Sequence, residues 1–214
     1  MDGVTLQDRF SRGMGAAARA LGVAYDLYRS FGVELPLASE RRVLRLAAAF
    51  DLGDPGYRRP KGYERALRGV FDGDCTCVGD YLVGPRGVLF IAMLPPLQRP
   101  LCVLTNAVVD VLRPGGPEVP GLNGYGGVRE PRLRPVLGGW PAQILGGVAG
   151  GDAAGGARLP DDGGLSGWTV LLPGTPAPIL GSDLLRDGEG RRFLVRTAEL
   201  SDLGWRLIVR QAGV

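Results

Sequence analysis

The spacing of apolar residues near the amino terminus predicts one amphipathic helix. From Thr5 to Leu21, apolar side chains recur three or four positions apart, which is the period of one helical face. Thr5 and Asp8 stand where a capping box would begin this helix, and Gly22 stands where it would end. The face consists of Leu6, Phe10, Met14, Ala17 and Leu21. It needs a surface to cover it, either the protein's own core or a neighbouring subunit.

After Gly22 the pattern changes to that of β-strands. Apolar and polar side chains alternate in residues 23–30, and residues 40–50 continue as a strand or a short helix. The apolar run 88–94 has strand length and is far shorter than the roughly 20 residues that cross a bilayer. The residues of 51–61 are dense in turn formers. We therefore predict an all-β protein with one short N-terminal helix and no membrane association.

An internal repeat is the most informative pattern in the chain. Residues 79–97 align with residues 182–200 at a fixed offset of 103 positions and without a gap. Each copy describes a hairpin followed by a third antiparallel strand, and Gly87 or Gly190 closes the turn with a positive φ. The matched pairs are Asp80 and Asp183, Leu82 and Leu185, Gly87 and Gly190, Phe90 and Phe193, Ile91 and Leu194, and Leu97 and Leu200, with Leu104 on Leu207 further on.

The repeat predicts two tandem small antiparallel β-barrel or β-sandwich modules with long loops rich in Gly and Pro. Residues 1–113 would hold the helix and the first module, residues 114–135 a Gly/Pro-rich linker, and residues 136–214 the second module. A long loop at 146–164 holds few large apolar residues that could be buried on folding.

The residue composition argues against catalysis. The chain has no histidine, which removes the commonest general base and the commonest metal ligand. The acidic pairs Asp72 with Asp74 and Asp161 with Asp162 lie among glycines, where solvated turns explain them. The glycine clusters match neither a dinucleotide fingerprint nor a P-loop. We predict a protein that is not an enzyme and that binds no cofactor and no metal.

Three cysteines leave several interpretations open. Cys75, Cys77 and Cys102 are too few, and odd in number, for the disulfide framework of a small secreted domain. Burial as small apolar residues is the leading interpretation, and a cross-link to Cys102 or a structural metal are the alternatives. No apolar stretch near the start has the form of a signal peptide, so we expect the protein to stay in the cytoplasm of the cell that makes it.

Charge and aromatic content favour protein contacts over nucleic-acid contacts. The 25 basic residues are 24 Arg and one Lys, as in proteins from GC-rich genomes, and the net charge is only +3. Large aromatic side chains in strand-like surroundings are expected to anchor the core or an interface. These anchors are Phe90, Phe193, Trp140, Trp168 and Trp205.

The segment 183–212 resembles the β-barrel of bacteriophage head-tail joining proteins of the stopper or head-completion type. In that family a carboxylate-bearing strand turns into a Gly-aromatic-x-Val strand, and a strand with a bulky aromatic residue follows. Asp183, Gly190, Phe193, Val195 and Trp205 occupy those places here, and the first copy has Cys102 in place of Trp205. The family normally has one such barrel, so a tandem pair departs from its pattern.

The resemblance implies a virion structural protein that forms a homo-oligomeric ring at the neck of a tailed phage. Its partners would be copies of itself, the portal or adaptor protein and the tail proteins, and packaged DNA would pass through the ring without specific contacts. The protein would then reside in the virion after assembly in the host bacterial cytoplasm. The alternatives are a tail or baseplate adaptor, a receptor- or carbohydrate-binding domain of a tail fibre, and, third, a carboxylate-dependent hydrolase.

Overall fold

The computed structural model describes residues 2–51, 63, 66–115, 132–146 and 167–212. Within these ranges the chain forms one α-helix, a short 3₁₀ helix and twelve β-strands. The strands form two closed six-stranded antiparallel barrels in tandem. The predicted all-β fold class with two tandem modules is therefore confirmed. Closure leaves no open sheet edge in either barrel.

The first barrel is built from the first half of the chain. Its strands hydrogen-bond in the cyclic order β1-β2-β3-β6-β5-β4. They are β1 Val23–Tyr28, β2 Arg42–Asp51, β3 Leu67–Val70, β4 Tyr81–Gly84, β5 Gly87–Met93 and β6 Leu101–Leu104.

The second barrel repeats this topology strand for strand. Its cyclic order is β7-β8-β9-β12-β11-β10, which becomes the order of the first barrel when six is subtracted from each number. Its strands are β7 Ala107–Pro114, β8 Leu133–Gly146, β9 Gly167–Leu172, β10 Leu184–Asp187, β11 Arg192–Ser201 and β12 Gly204–Gln211. The shared topology supports a duplication of the whole barrel and not only of a hairpin.

The boundary between the modules differs from the predicted one. Strand β7 pairs with β8 and β10, so the second barrel begins at Ala107 and not after residue 135. Residues 115–132 connect β7 to β8 of the same barrel, so the predicted 114–135 linker does not separate two modules. The prediction failed because a Gly/Pro-rich stretch marks a long loop as readily as a domain boundary. Residues 116–131 of this segment and residues 147–166, which cover most of the predicted 146–164 loop, lie outside the described residues.

The two hairpins of the repeat differ by one residue in their turns. Pro85 and Arg86 alone lie between the paired Gly84 and Gly87 of the first copy. In the second copy three residues, 188–190, lie between Asp187 and Arg191, whose backbones are hydrogen-bonded. Gly87 and Gly190 take φ values of 106° and 82°, a region that L-residues rarely adopt.

The extra turn residue changes which positions of the repeat are equivalent. Leu82 pairs with Leu89, whereas Leu185 pairs with Phe193, and all four side chains are fully buried. Phe193 therefore corresponds to Leu89 and not to Phe90. Equivalent residues of the two barrels are therefore 103 positions apart on β4 and 104 positions apart on β5. The difference arises because the extra turn residue shifts every later position by one.

A shared β-bulge confirms the corrected alignment. In the first barrel the β5–β6 register slips between Ile91, which pairs with Cys102, and Met93. In the second barrel the register slips between Val195, which pairs with Val209, and Thr197. Cys102 is thus equivalent to Val209 and not to Trp205. The sequence alignment of the last strand, which matched Cys102 with Trp205 and Leu104 with Leu207, is therefore wrong. A bulge conserved between copies is typical of a feature required by the barrel.

The helix α1, Gly3–Leu21, begins two residues before the predicted cap and buries a different face from the predicted one. Its N-cap is Asp2, which makes no side-chain cap hydrogen bond, and the Gly22 N–H donates to Ala18 O at its end. Small residues face the barrel, namely Ser11, Gly15 and Ala18. The helix lies on β2 and β3 of the first barrel.

The two barrels share an apolar interface. Barrel one has its own interior core, in which Tyr25, Leu27, Leu82, Leu89 and Cys102 meet. A second cluster fills barrel two and extends to the outer face of the first barrel, where it includes Tyr81, Phe90 and Val103. The Tyr81 hydroxyl donates to the Pro141 carbonyl across this interface at 3.0 Å, and burial raises the pKa of Tyr81.

We expect the Tyr81→Phe variant to unfold at a lower urea concentration than the native protein. The substitution keeps the ring and deletes the buried hydrogen bond to Pro141, which costs about 1 kcal/mol of unfolding free energy. Tyr28→Phe is the matched control, because Tyr28 is half-buried beside the same cluster and should change stability by less than about 0.5 kcal/mol. Equal midpoints for the two variants would contradict a stabilising role for the inter-barrel hydrogen bond.

Candidate interaction surfaces

Each barrel holds the same arginine–aspartate pair. In the first, Arg29 Nε donates to Asp80 Oδ1 at 2.9 Å and Nη2 donates to Oδ2 at 2.7 Å. In the second, Arg113 donates through the same atoms to Asp183 at 2.8 and 2.9 Å. Such two-point pairing fixes both side chains in one plane. We refer to the two pairs as the clasps.

The backbone around each clasp is also the same. The arginine Nη2 donates to the carbonyl five residues before the aspartate, Cys75 O in one barrel and Pro178 O in the other. The aspartate Oδ2 accepts the N–H three residues before it, from Cys77 or Leu180, at 2.8 Å. Hydrogen bonding to the aspartate raises the pKa of each arginine. Each carboxylate thus holds an arginine and the loop that precedes it.

Sequence analysis found the aspartates of the clasps and missed the arginines. The signal was present, because Asp26-Leu27-Tyr28-Arg29 and 110–113, which reads Asp-Val-Leu-Arg, align at an offset of 84. Register confirms the match, since Leu27 faces Leu82 and Val111 faces Leu185. The offset of 84 differs from that of the hairpins, so a search at one fixed spacing does not detect it.

Asp110, which opens the second of these motifs, lies at the surface of the second barrel. Burial opposes its ionisation, but hydrogen bonds from Arg186 and from the Gly139 N–H outweigh burial and lower its pKa. The carboxylate therefore stays ionised and paired at neutral pH.

We expect Arg113→Ala to destabilise the protein by about 2 kcal/mol. The substitution leaves the Asp183 carboxylate, which is 1% exposed, without its guanidinium partner. The expected loss of stability is smaller than for a fully buried ion pair, because the Arg113 side chain is one-third exposed. Arg196→Ala is the control, since this exposed arginine on β11 should change stability by less than about 0.5 kcal/mol. Chemical denaturation measures both, and a small effect at Arg113 would show that the clasp contributes little.

The three cysteines are free thiols with different surroundings. Cys102 is fully buried inside the first barrel, and burial raises its pKa. Cys75 and Cys77 are exposed in the β3–β4 loop, so burial, the leading sequence interpretation, is wrong for these two. The second barrel forms the same loop with Pro178 and Leu180 at those positions, so the loop does not require thiols.

We expect two thiols per chain to react with Ellman's reagent in the native protein. Cys75 and Cys77 are accessible, whereas Cys102 is enclosed and its thiolate form is disfavoured. The third thiol should react only after addition of denaturant, and Cys102→Ala should abolish that delayed phase. Rapid reaction of all three groups in native buffer would contradict the buried position of Cys102.

The predicted aromatic anchors occupy different places in the structure. Phe90 lies at the junction of the barrels with Trp140, whose indole N–H donates to Val33 O at 2.8 Å. Phe193 lies inside the second barrel, 5.9 Å from the half-buried Trp168. Trp205 is buried, and its N–H donates to Thr175 Oγ1 at 2.9 Å. None of these five side chains is exposed, so they do not form a stacking surface for a sugar or a base.

The apolar face of α1 that the sequence predicts remains partly exposed in the structure. Leu6 is 42% exposed and Leu21 is 78% exposed, and Phe10 and Met14 are half-buried. The described residues therefore leave this face without the covering surface that the sequence predicts. A single apolar side chain at a surface is ordinary, but a contiguous apolar stripe is typical of an interaction site.

Phe10 and Met14 of this face, together with Val4, line one wall of a groove of about 650 Å³. The opposite wall is the proline-rich β5–β6 loop, where the Leu97 N–H donates to Gln7 Oε1 at 2.9 Å and ties the loop to the helix. Among the described residues, the lining includes two carboxylates, Asp8 and Asp74, and no basic side chain. Its apolar members are Val4, Phe10, Met14, Phe71, Leu94, Pro95, Pro96, Leu97 and Pro100. We call it the helix groove.

Other types of site are not apparent in the described part of the chain. No group of three or more potential metal ligands gathers among the described residues. The one described helix lacks the length and apolar character needed to cross a bilayer. Comparison of the sequence with protein-family models, with curated proteins and with solved structures finds no match.

Proposed function

We propose that this chain is a structural subunit of a tailed bacteriophage, and that its copies form a ring at the neck between the portal or adaptor and the tail. The observation that carries the proposal is the apolar helix groove, which the chain's own core leaves open. The resemblance of segment 183–212 to head-tail joining proteins supplies the kind of assembly.

A role without catalysis is supported by the way the buried carboxylates are used. Asp80, Asp183 and Asp187 each bind an arginine and backbone N–H groups. General acid or base catalysis needs a carboxyl group that can reach substrate and exchange a proton. These three carboxylates are occupied in holding turns.

Among the alternatives, a carbohydrate-binding role depended on exposed tryptophans. Trp140 and Trp205 are buried and Trp168 is half-buried, so this support is lost. A tail or baseplate adaptor uses the same protein–protein surfaces as a neck ring, and it is distinguished only by its position in the particle. In either place, DNA would pass through the assembly without sequence-specific contacts.

Deleting the gene from the phage or prophage that encodes it tests the proposal. We expect DNA-filled heads and separate tails by negative-stain electron microscopy, because the joint between them would be missing. The protein supplied from a plasmid should restore joined particles, and antibody labelling should place it at the neck.

Each other result points to a different role. Joined particles that fail to adsorb would indicate a tail-fibre role, and tails that lack a baseplate would indicate a baseplate adaptor. Normal infectious particles without the protein would contradict a structural role in the virion.

A further inference from the structure

The corrected alignment shows how the first barrel attaches to the second. On its outer face, Tyr28, Tyr81 and Phe90 form one row across β1, β4 and β5, each directly opposite the next. Tyr81 and Phe90 are fully buried, and Tyr28 packs against the cluster that fills the second barrel. This row is the attachment face of barrel one.

The second barrel has an equivalent row that no barrel covers. Leu112, Leu184 and Leu194 lie directly opposite one another on β7, β10 and β11, the strands equivalent to β1, β4 and β5. Leu194 is 41% exposed, and the other two side chains are half-buried. We call these three residues the leucine row. It is apolar, like the aromatic row that is buried within the chain.

The surface that receives the aromatic row also has an equivalent. It lies on β8 and β9, where Gln143 and Leu171 pair and are buried despite pointing away from the barrel interior. In the first barrel the equivalent pair is Ala49 with Val70, on β2 and β3. The helix α1 lies on these two strands. The helix α1 therefore covers on barrel one the face that is equivalent to the face of barrel two covered by barrel one.

We propose that chains join head to tail, with the leucine row of one copy packed against the helix groove of the next copy. Barrel one lies on the β8–β9 face of barrel two through its aromatic row. If barrel two lay in the same way on barrel one of a following chain, its leucine row would meet the β2–β3 face of that chain. That face is covered by α1, and the helix groove runs along one flank of α1, beside the β5–β6 loop. The inference deepens the proposed ring and rests on it only for its biological setting.

The charges at the rims of the two surfaces are complementary. Exposed arginines surround the leucine row. Arg210 on β12 pairs with Leu194, and Arg192 and Arg196 lie on β11 beside it. The helix groove has Asp8 and Asp74 in its lining. Opposite charges around an apolar centre favour this pairing over contact between two leucine rows, which would bring like charges together.

Contact between two different surfaces has a geometric consequence. A heterologous interface leaves one free surface of each kind at the ends of every partial assembly. Growth stops only when the rotation between neighbours closes a ring. Ring formation therefore requires no further interface on the chain.

A pair of complementary variants tests the head-to-tail contact. Leu194→Glu places a charge in the leucine row, and Met14→Glu places one in the helix groove. In sedimentation or light scattering, we expect each variant alone to lose self-association by at least about tenfold in dissociation constant. A one-to-one mixture should form dimers and no larger species, because the mixture retains one intact row and one intact groove.

The controls keep loss of folding apart from loss of contact. Leu200→Glu changes another exposed leucine of β11, 56% exposed and outside the row, and should assemble like the native chain. Thermal unfolding by circular dichroism should give melting temperatures close to native for every variant. If Leu194→Glu unfolds, Arg210→Glu offers a fully external substitution that should also weaken assembly.

Three results would overturn the inference. A native chain that stays monomeric at about 100 μM has no such contact. Dimers of Met14→Glu that persist while Leu194→Glu is monomeric would indicate contact between two leucine rows. A mixture of the two variants that stays monomeric would exclude the pairing of row with groove. None of these results bears on the gene-deletion phenotype, so the proposed function and this contact can fail separately.

Discussion

Closure of each barrel depends on a seam between strands that are not neighbours in sequence. Strand β1 must meet β4, and β7 must meet β10, before the cylinder is complete. The clasp lies at the end of this seam, since Arg29 follows β1 and Asp80 precedes β4. A two-point guanidinium–carboxylate contact holds the strand ends in register and also fixes the preceding loop through Cys77 N–H. The same solution in both barrels suggests that it is a requirement of the fold.

Sequence pattern predicted the parts of the fold that depend on local contacts. The hairpins around Gly87 and Gly190 were recoverable because turn glycines and alternating strands lie within 20 residues. The arginines of the clasps were not, because Arg29 and Arg113 act on residues 51 and 70 positions away. The one-residue insertion at 188–190 was hidden because the ungapped alignment places one phenylalanine, Phe90, on another, Phe193. Strand β3, Leu67–Val70, was not predicted, because its partners lie on β2 and β6, which are distant in the sequence.

The same limit applies to the interaction surfaces. The apolar face of α1 was identified from its period, and the structure adds that small residues dock the helix and leave this face open. The leucine row could not be seen in the sequence, because Leu184 and Leu194 pair in a hairpin but Leu112 joins them only through barrel closure. Phe90 and Phe193 were expected to serve alike, yet one attaches the barrels and the other fills an interior. Duplication preserved topology while the two outer faces came to differ.

The strand order also governs the sequence in which the chain can fold during synthesis. The first barrel has all its strands once β6 has left the ribosome, so it can close early. In the second barrel, β12 lies between β9 and β11, and the sheet stays open until this last strand arrives. A stop codon shortly before Gly204 would remove β12, so the second barrel could not close, while the first barrel would keep all six of its strands.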